Sequence, residues 1–264
     1  MASAIPRLEV VQNPQRLRLL VSLYIAGIGL AEALLIIAGP VTSLVLHSLL
    51  LVVLSIHAAV STPSQRQVYS ALMLPSLLRT ISLGLPTSDL PGLIQYILVG
   101  GPLWVGIIMI ARSNGIIGRD LGLNRGPGLW QLLLVVLGWP LGLLSTFILT
   151  PQPAIPGLTP VYLGAGILVI SVFSSAAEEM LFRGILQFTL YRHLGNYGIV
   201  CACLLFVFAY LGTRSGLYVV FMGLIGILFA VIVRRTGTVW GVVLAHSLIK
   251  CGALLVWPFV LHLS

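Results

Sequence analysis

Residues 19–39 read LLVSLYIAGIGLAEALLIIAG, and the fold class follows from them. An α-helix rises about 1.5 Å per residue, so about 20 apolar residues cross the roughly 30 Å hydrocarbon layer of a bilayer. Eight further runs of this kind follow, at 41–60, 68–85, 90–111, 129–149, 158–179, 197–213, 216–233 and 238–261; the third of the nine is the weakest. The composition agrees: 264 residues at 58% hydrophobic and 8% charged, with mean hydropathy +1.09, leave too little polar surface for a water-soluble globule. Backbone groups in lipid must be satisfied internally, and the short alternating segments of a β-barrel are missing. The expected fold is therefore all-α, a polytopic transmembrane bundle of 8 to 9 spans.

The formal net charge of +8 does not point to nucleic acid, because the basic residues sit singly between apolar runs instead of clustering on a solvated face. They report topology. With a cytoplasmic N-terminus and nine crossings, the inner segments collect Arg7, Arg16, Arg18, Arg66, Arg112, Arg119, Arg125, Arg183, Arg192, Arg234 and Arg235. The outer segments hold Arg214 alone, while Arg79 and Lys250 fall within runs. The positive-inside rule thus favours nine crossings, although 68–85 contains Arg79 and a re-entrant helix there gives eight.

The organisation expected is a cytoplasmic segment at 1–18 followed by one membrane domain at 19–264, with no cleavable signal, since the first run is longer than a signal h-region. No internal repeat of the kind found in many transporters is evident. Cys201, Cys203 and Cys251 lie within predicted helices and lack zinc-ligand spacing, so they read as packing residues.

Only six acids occur: Glu9, Glu32, Asp89, Asp120, Glu178 and Glu179. Glu9, Asp89 and Asp120 fall in loops or termini, where they are solvated. Glu32 lies inside the first span and calls for a structural partner, an arginine or a hydroxyl. Glu178 and Glu179, in SSAAEEMLFRGILQ (174–187), stand at the inner end of the sixth run, where desolvation and mutual repulsion must be offset. Arg183 lies four residues after Glu179, on the same helix face. Glu178 is turned about 100° away and faces another partner in the bundle.

The residues Glu178, Glu179 and Arg183 resemble the first motif, EExxxR, of the CPBP family of membrane proteins, which includes the CAAX prenyl endopeptidases and bacteriocin-processing or immunity proteins. The family's second motif, FxxxH, is matched in place by Phe206 and Tyr210, and its last, HxxxN or HxxxD, by His246 and Lys250. The resemblance covers about 158–252. It implies a glutamate-type intramembrane endopeptidase, in which the first glutamate and the second-motif histidine activate water while the last motif stabilises the oxyanion. The candidate catalytic residues are accordingly Glu178, Glu179, Arg183, Tyr210, His246 and Lys250. Two of them depart from the pattern, tyrosine standing for histidine and lysine for asparagine or aspartate.

A phenol titrates near 10, so Tyr210 cannot act as base near neutral pH; it can orient Glu178 or a water. Lys250, the chain's single lysine, can stabilise an oxyanion or pair with Glu178 and occupy it. Ser174, Ser175 and Ser247 raise a serine–lysine dyad, but their spacing fits small-residue helix packing equally well. Glu178, Glu179 and His246 fall short of a convincing zinc site, so no metal or cofactor is expected. Three functions stay open: an intramembrane endopeptidase, a family member without hydrolysis that acts as a scaffold or complex subunit, and a channel or transporter lined by Glu32, Glu178 and Lys250. The partners expected are membrane lipids and a membrane-anchored peptide or other membrane subunits.

Overall fold

The computed structural model describes residues 14–86 and 90–261, and Arg7, Glu9, Asp89 and His262 lie outside the described residues. Nine long helical segments follow one another: α1 (Pro14–Ile37), α2 (Pro40–Val60), α3 (Pro63–Gly84), α4 (Gly92–Ser113), α5 (Gly128–Leu149), α6 (Pro160–Leu194), α7 (Asn196–Phe208, extended by a 3₁₀ turn to Thr213), α8 (Gly216–Thr236) and α9 (Trp240–Val260). Eight of these are long and apolar enough to cross a membrane, α3 being the exception. The expected all-α membrane bundle is thus borne out.

Local chemistry sets the ends. Proline opens α1, α2, α3 and α6, where its missing N–H costs no helical hydrogen bond. The hydroxyls of Thr159 and Ser215 accept from the Tyr162 and Tyr218 amides at the starts of α6 and α8, both at 3.3 Å. Gly237, at φ 68°, ends α8 in the left-handed conformation.

Contacts between connections show that the helices alternate in direction. At one end, the Gln67 amide donates to the Asn114 carbonyl at 3.1 Å, and its oxygen lies 3.0 Å from His193 Nε2. The Val239 amide donates to Gly122 O at 3.0 Å, and the Ser22 hydroxyl near the start of α1 meets the Tyr197 hydroxyl at 2.6 Å. These pairs gather the start of α1 and the α2–α3, α4–α5, α6–α7 and α8–α9 connections. At the opposite end, Leu35 and Pro40 share a cavity with Arg79, Ser82 and Arg214. The helix α3 therefore runs from one end to the other like its neighbours, despite its lower hydropathy.

A buried ion pair accounts for its polarity. Arg79 Nε lies 2.5 Å from Glu32 Oε1, its NH2 donates to the Ala209 carbonyl at 2.5 Å, and His47 Nε2 sits 3.5 Å from the same carboxylate oxygen. Glu32 thus finds the arginine its position demanded, and the contact ties α1 and α3 to the end of α7.

The sixth segment differs most from expectation. Its apolar run stops at Glu179, but the helix continues to Leu194, so the acid pair lies in mid-helix and not at an inner end. Arg183, counted above with the inner loops, is likewise buried in the bundle. Two π-helical stretches, Ile170–Ala176 and Met180–Gln187, flank the single α-helical turn Ala177–Glu179. Widened turns of this kind recur at functional sites because the extra residue re-aims side chains. Helix α9 runs closest to the centre, with 61% of its apolar window buried against 17% for α4, and packs on α5 and α6.

The approach of α4 to α6 depends on Gly100, where an added Cβ would fall 2.0 Å from the Phe173 carbonyl oxygen, a backbone atom with no freedom to move aside. Gly100→Ala is expected to destabilise the fold by ~1–3 kcal/mol, the range of overpacking in a tight core. Its unfolding temperature in detergent measures this, with Gly101→Ala, whose Cβ would meet open space, as the neutral comparison.

Candidate functional site

Every candidate residue of the sequence converges on one place between α6, α7 and α9. Glu178 Oε1 accepts from Lys250 Nζ at 2.5 Å and from the Ser174 hydroxyl at 3.4 Å. Its Oε2 accepts from the Tyr210 hydroxyl at 2.9 Å. Lys250 Nζ also donates to Ser174 Oγ at 2.8 Å, so the cation is shared between a carboxylate and a hydroxyl of the same helical turn.

Glu179, fully buried, points the other way. Arg183 NH1 donates to its Oε1 at 3.3 Å, and Nε lies 3.2 Å from Oε2. The i, i+4 spacing anticipated this pair. It did not anticipate the second partner: His246 Nδ1 lies 2.7 Å from Glu179 Oε1. A carboxylate accepts, so an Nδ1 proton points at Glu179, while Nε2 lies 3.4 Å from the Tyr210 hydroxyl and 3.9 Å from Glu178 Oε2. Two carboxylates thus stand against two basic side chains, Arg183 and Lys250, with His246 within reach of both acids.

Phe206 explains why the second motif begins with an aromatic residue. The Arg183 guanidinium lies 3.9 Å from the Phe206 ring centroid, and its NH2 donates to the Gly226 carbonyl of α8 at 3.2 Å. A Cβ on Gly226 would come within 2.6 Å of that ring, so glycine lets the ring and guanidinium lie against the α8 backbone. Phe206 in turn meets Tyr210 edge-on at 5.1 Å. Burial on an aromatic face strengthens the hold on a cation that already carries an ion pair.

A cavity of about 310 Å³ opens onto Glu178, Tyr210, Ser174 and Lys250. Its apolar wall includes Phe173, Phe182 and Leu103, and Arg79, Gln95 and Tyr96 line it from the N-terminal half. Glu178 and Lys250 are 19% and 14% exposed there, enough to touch a bound molecule while remaining paired. Hydropathy and the motif gave no signal for Arg79, Gln95 and Tyr96, which reach the cavity only through helix packing. Ser174 is one of the serines that a dyad with lysine requires. Its distance from Nζ suits one, but an ammonium already protonated and paired with Glu178 cannot take the serine proton.

The eight long apolar helices define an integral membrane protein. Residues 160–252 match the family model described as type II CAAX prenyl endopeptidase Rce1-like, and the CPBP resemblance is borne out over this segment. No curated protein and no solved structure matches the chain.

Removing one partner of the central pair leaves the other charge stranded in the bundle. Lys250→Met is expected to destabilise by ~3–5 kcal/mol, as breaking buried pairs does, and Glu178→Gln combined with Lys250→Met to recover a large part of that loss. Detergent unfolding of the two single variants and the double variant gives the coupling; additive losses would mean that the pair does not act as a unit.

Proposed function

We propose that this CAAX-protease-like protein binds a membrane-anchored chain without cutting it, its hydrolytic pair having become an internal ion pair. One observation carries this: Lys250 Nζ lies 2.5 Å from Glu178 Oε1. Peptide hydrolysis needs a base free to take a proton from water and donors placed where charge develops on the carbonyl oxygen. Glu178 has an ammonium on one oxygen and a phenol on the other. Tyr210 donates a hydrogen bond to the carboxylate and, as a phenol, is no base near neutral pH. His246 is held through Nδ1 by Glu179, and its Nε2 stands 3.9 Å from Glu178 Oε2, beyond hydrogen-bond distance.

Binding is supported by the cavity itself, where an apolar wall lies beside a charged floor, the lining a lipidated peptide calls for. The family description, prenyl endopeptidase, names peptides of this class as the probe to use. We further infer that the end bearing Arg16, Arg18, Arg66, Arg112, Arg119, Arg125, Arg192, Arg234 and Arg235 is cytoplasmic, and the N-terminus with it, because the opposite end carries Arg214.

The test is a farnesylated CAAX peptide presented to the full-length protein in liposomes. The expected result is crosslinking of the intact peptide near Glu178 with no cleavage above protein-free liposomes. Combined Tyr210→His and Lys250→Asn is expected to gain turnover, and that gain to vanish on adding Glu178→Ala. Cleavage by the wild type that Glu178→Ala abolishes would overturn the proposal in favour of an active endopeptidase, and absence of crosslinking would remove the peptide as ligand.

A further inference from the structure

A second cavity, of about 290 Å³, opens at the arginine-rich end of the bundle and shares no residue with the one over Glu178. Its wall comes from three segments: Arg119 and Asn124 of the α4–α5 connection, Gln187 and Tyr191 of α6, and Arg234 in the last turn of α8. The connection is fastened in place, since Asn124 Nδ2 donates to Arg119 O at 3.1 Å and to Gly237 O at 3.4 Å. Arg234 is also held: its NH2 donates to the Tyr191 hydroxyl, and its guanidinium lies 4.1 Å from that ring's centroid.

Two features ask for a ligand. The exposed Arg119 guanidinium has no partner among the described residues. Gln187, 4% exposed, donates from Nε2 to Ala230 O at 3.0 Å, but its Oε1 is buried without a hydrogen bond. A buried acceptor left unpaired costs ~1–3 kcal/mol, so a donor that reaches it binds with that advantage.

The chemistry of the wall is specific. Of the three arginines on the wall, Arg183 is taken up by Glu179 and the Gly226 carbonyl, and the guanidiniums of Arg119 and Arg234 match phosphate, which such groups hold through paired, charge-assisted hydrogen bonds. The carboxamide oxygen of Gln187 needs a hydroxyl or N–H. Asp120 also lines the cavity, with Oδ2 accepting from the Ile117 amide at 3.1 Å; its carboxylate repels a bare anion and favours a hydroxyl donor beside the phosphate. Trp130 and Trp240, 51% and 47% exposed, sit at the starts of α5 and α9 on this same end, the residue type enriched at headgroup level. A volume of about 290 Å³ suits a headgroup and excludes a whole lipid.

We propose that this cavity binds the headgroup of an anionic phospholipid carrying free hydroxyls, with its phosphate on Arg119 and Arg234 and a hydroxyl on Gln187 Oε1. The site lies where the arginine-rich end meets the bilayer surface, and it is independent of whether Glu178 takes part in any chemistry.

Native mass spectrometry of the full-length protein released from detergent tests it, with phosphatidylglycerol, phosphatidic acid and phosphatidylcholine each added at the same molar ratio. The expected order of retained lipid is phosphatidylglycerol, then phosphatidic acid, which lacks the hydroxyls, then phosphatidylcholine. Arg119→Gln with Arg234→Gln is expected to weaken phosphatidylglycerol binding about tenfold or more, from the loss of charge-assisted hydrogen bonds. Arg214→Gln, at the opposite end, is expected to leave it unchanged. Should the double variant lose its folded unfolding transition, Arg119→Gln alone gives the same reading from an exposed side chain. Equal retention of all three lipids, or retention untouched by the arginine substitutions, would overturn the site. Displacement of the lipid by equimolar glycerol 1-phosphate would assign the cavity to a soluble phosphorylated polyol instead.

Discussion

Two adjacent carboxylates in the middle of a membrane helix are the constraint around which this chain is built. Each costs several kcal/mol to remove from water, and their proximity adds repulsion. The helical turn Ala177–Glu179 sends the two neighbouring side chains in different directions, Glu179 toward Arg183 and His246, Glu178 toward Lys250 and Tyr210. Compensation therefore has to arrive from α7 and α9 as well as from α6 itself. Those helices converge because the charges cannot be left alone, and the Arg183 guanidinium extends the requirement to α8 through Phe206 and the Gly226 carbonyl.

The N-terminal half follows the same rule with a different pair. Glu32 on α1 is matched by Arg79 on α3, and Arg79 reaches on to the Ala209 carbonyl, one residue from Tyr210. The ion pair thus places a guanidinium on the wall of the cavity over Glu178. The part of the chain outside the Rce1-like segment is in this way joined to the site, with Gln95 and Tyr96 of α4 on the same cavity wall. The polarity that makes α3 the weakest span by hydropathy is the same polarity that holds it in the bundle.

Lys250 changes what the site can do. Where the resemblance implies asparagine or aspartate, a cation sits within hydrogen-bond reach of the glutamate that would activate water, and Tyr210 fills the place of a histidine. Both substitutions act in one direction, giving Glu178 partners that bind its charged form. On the proposed reading, an arrangement suited to moving a proton becomes one suited to holding a charge still, beside an open cavity.

Apolar runs of helical length set the number and order of the helices, because hydropathy is a property of each segment alone. The distribution of arginines indicated nine alternating segments, which the contacts between connections support. The i, i+4 spacing gave the Glu179–Arg183 pair, since helix geometry fixes that distance without help from the rest of the chain. Sequence also required that Glu178 find its partner elsewhere and left a water or Lys250 as the choices. Packing decided for Lys250, 72 positions away, and likewise for His246 against Glu179, 67 positions away. It also carried α6 past the acids to Leu194, because buried partners neutralise residues whose own hydropathy signals the end of a span. Local spacing determines local pairs; a charge paired across helices depends on which faces meet, and only the folded bundle specifies that.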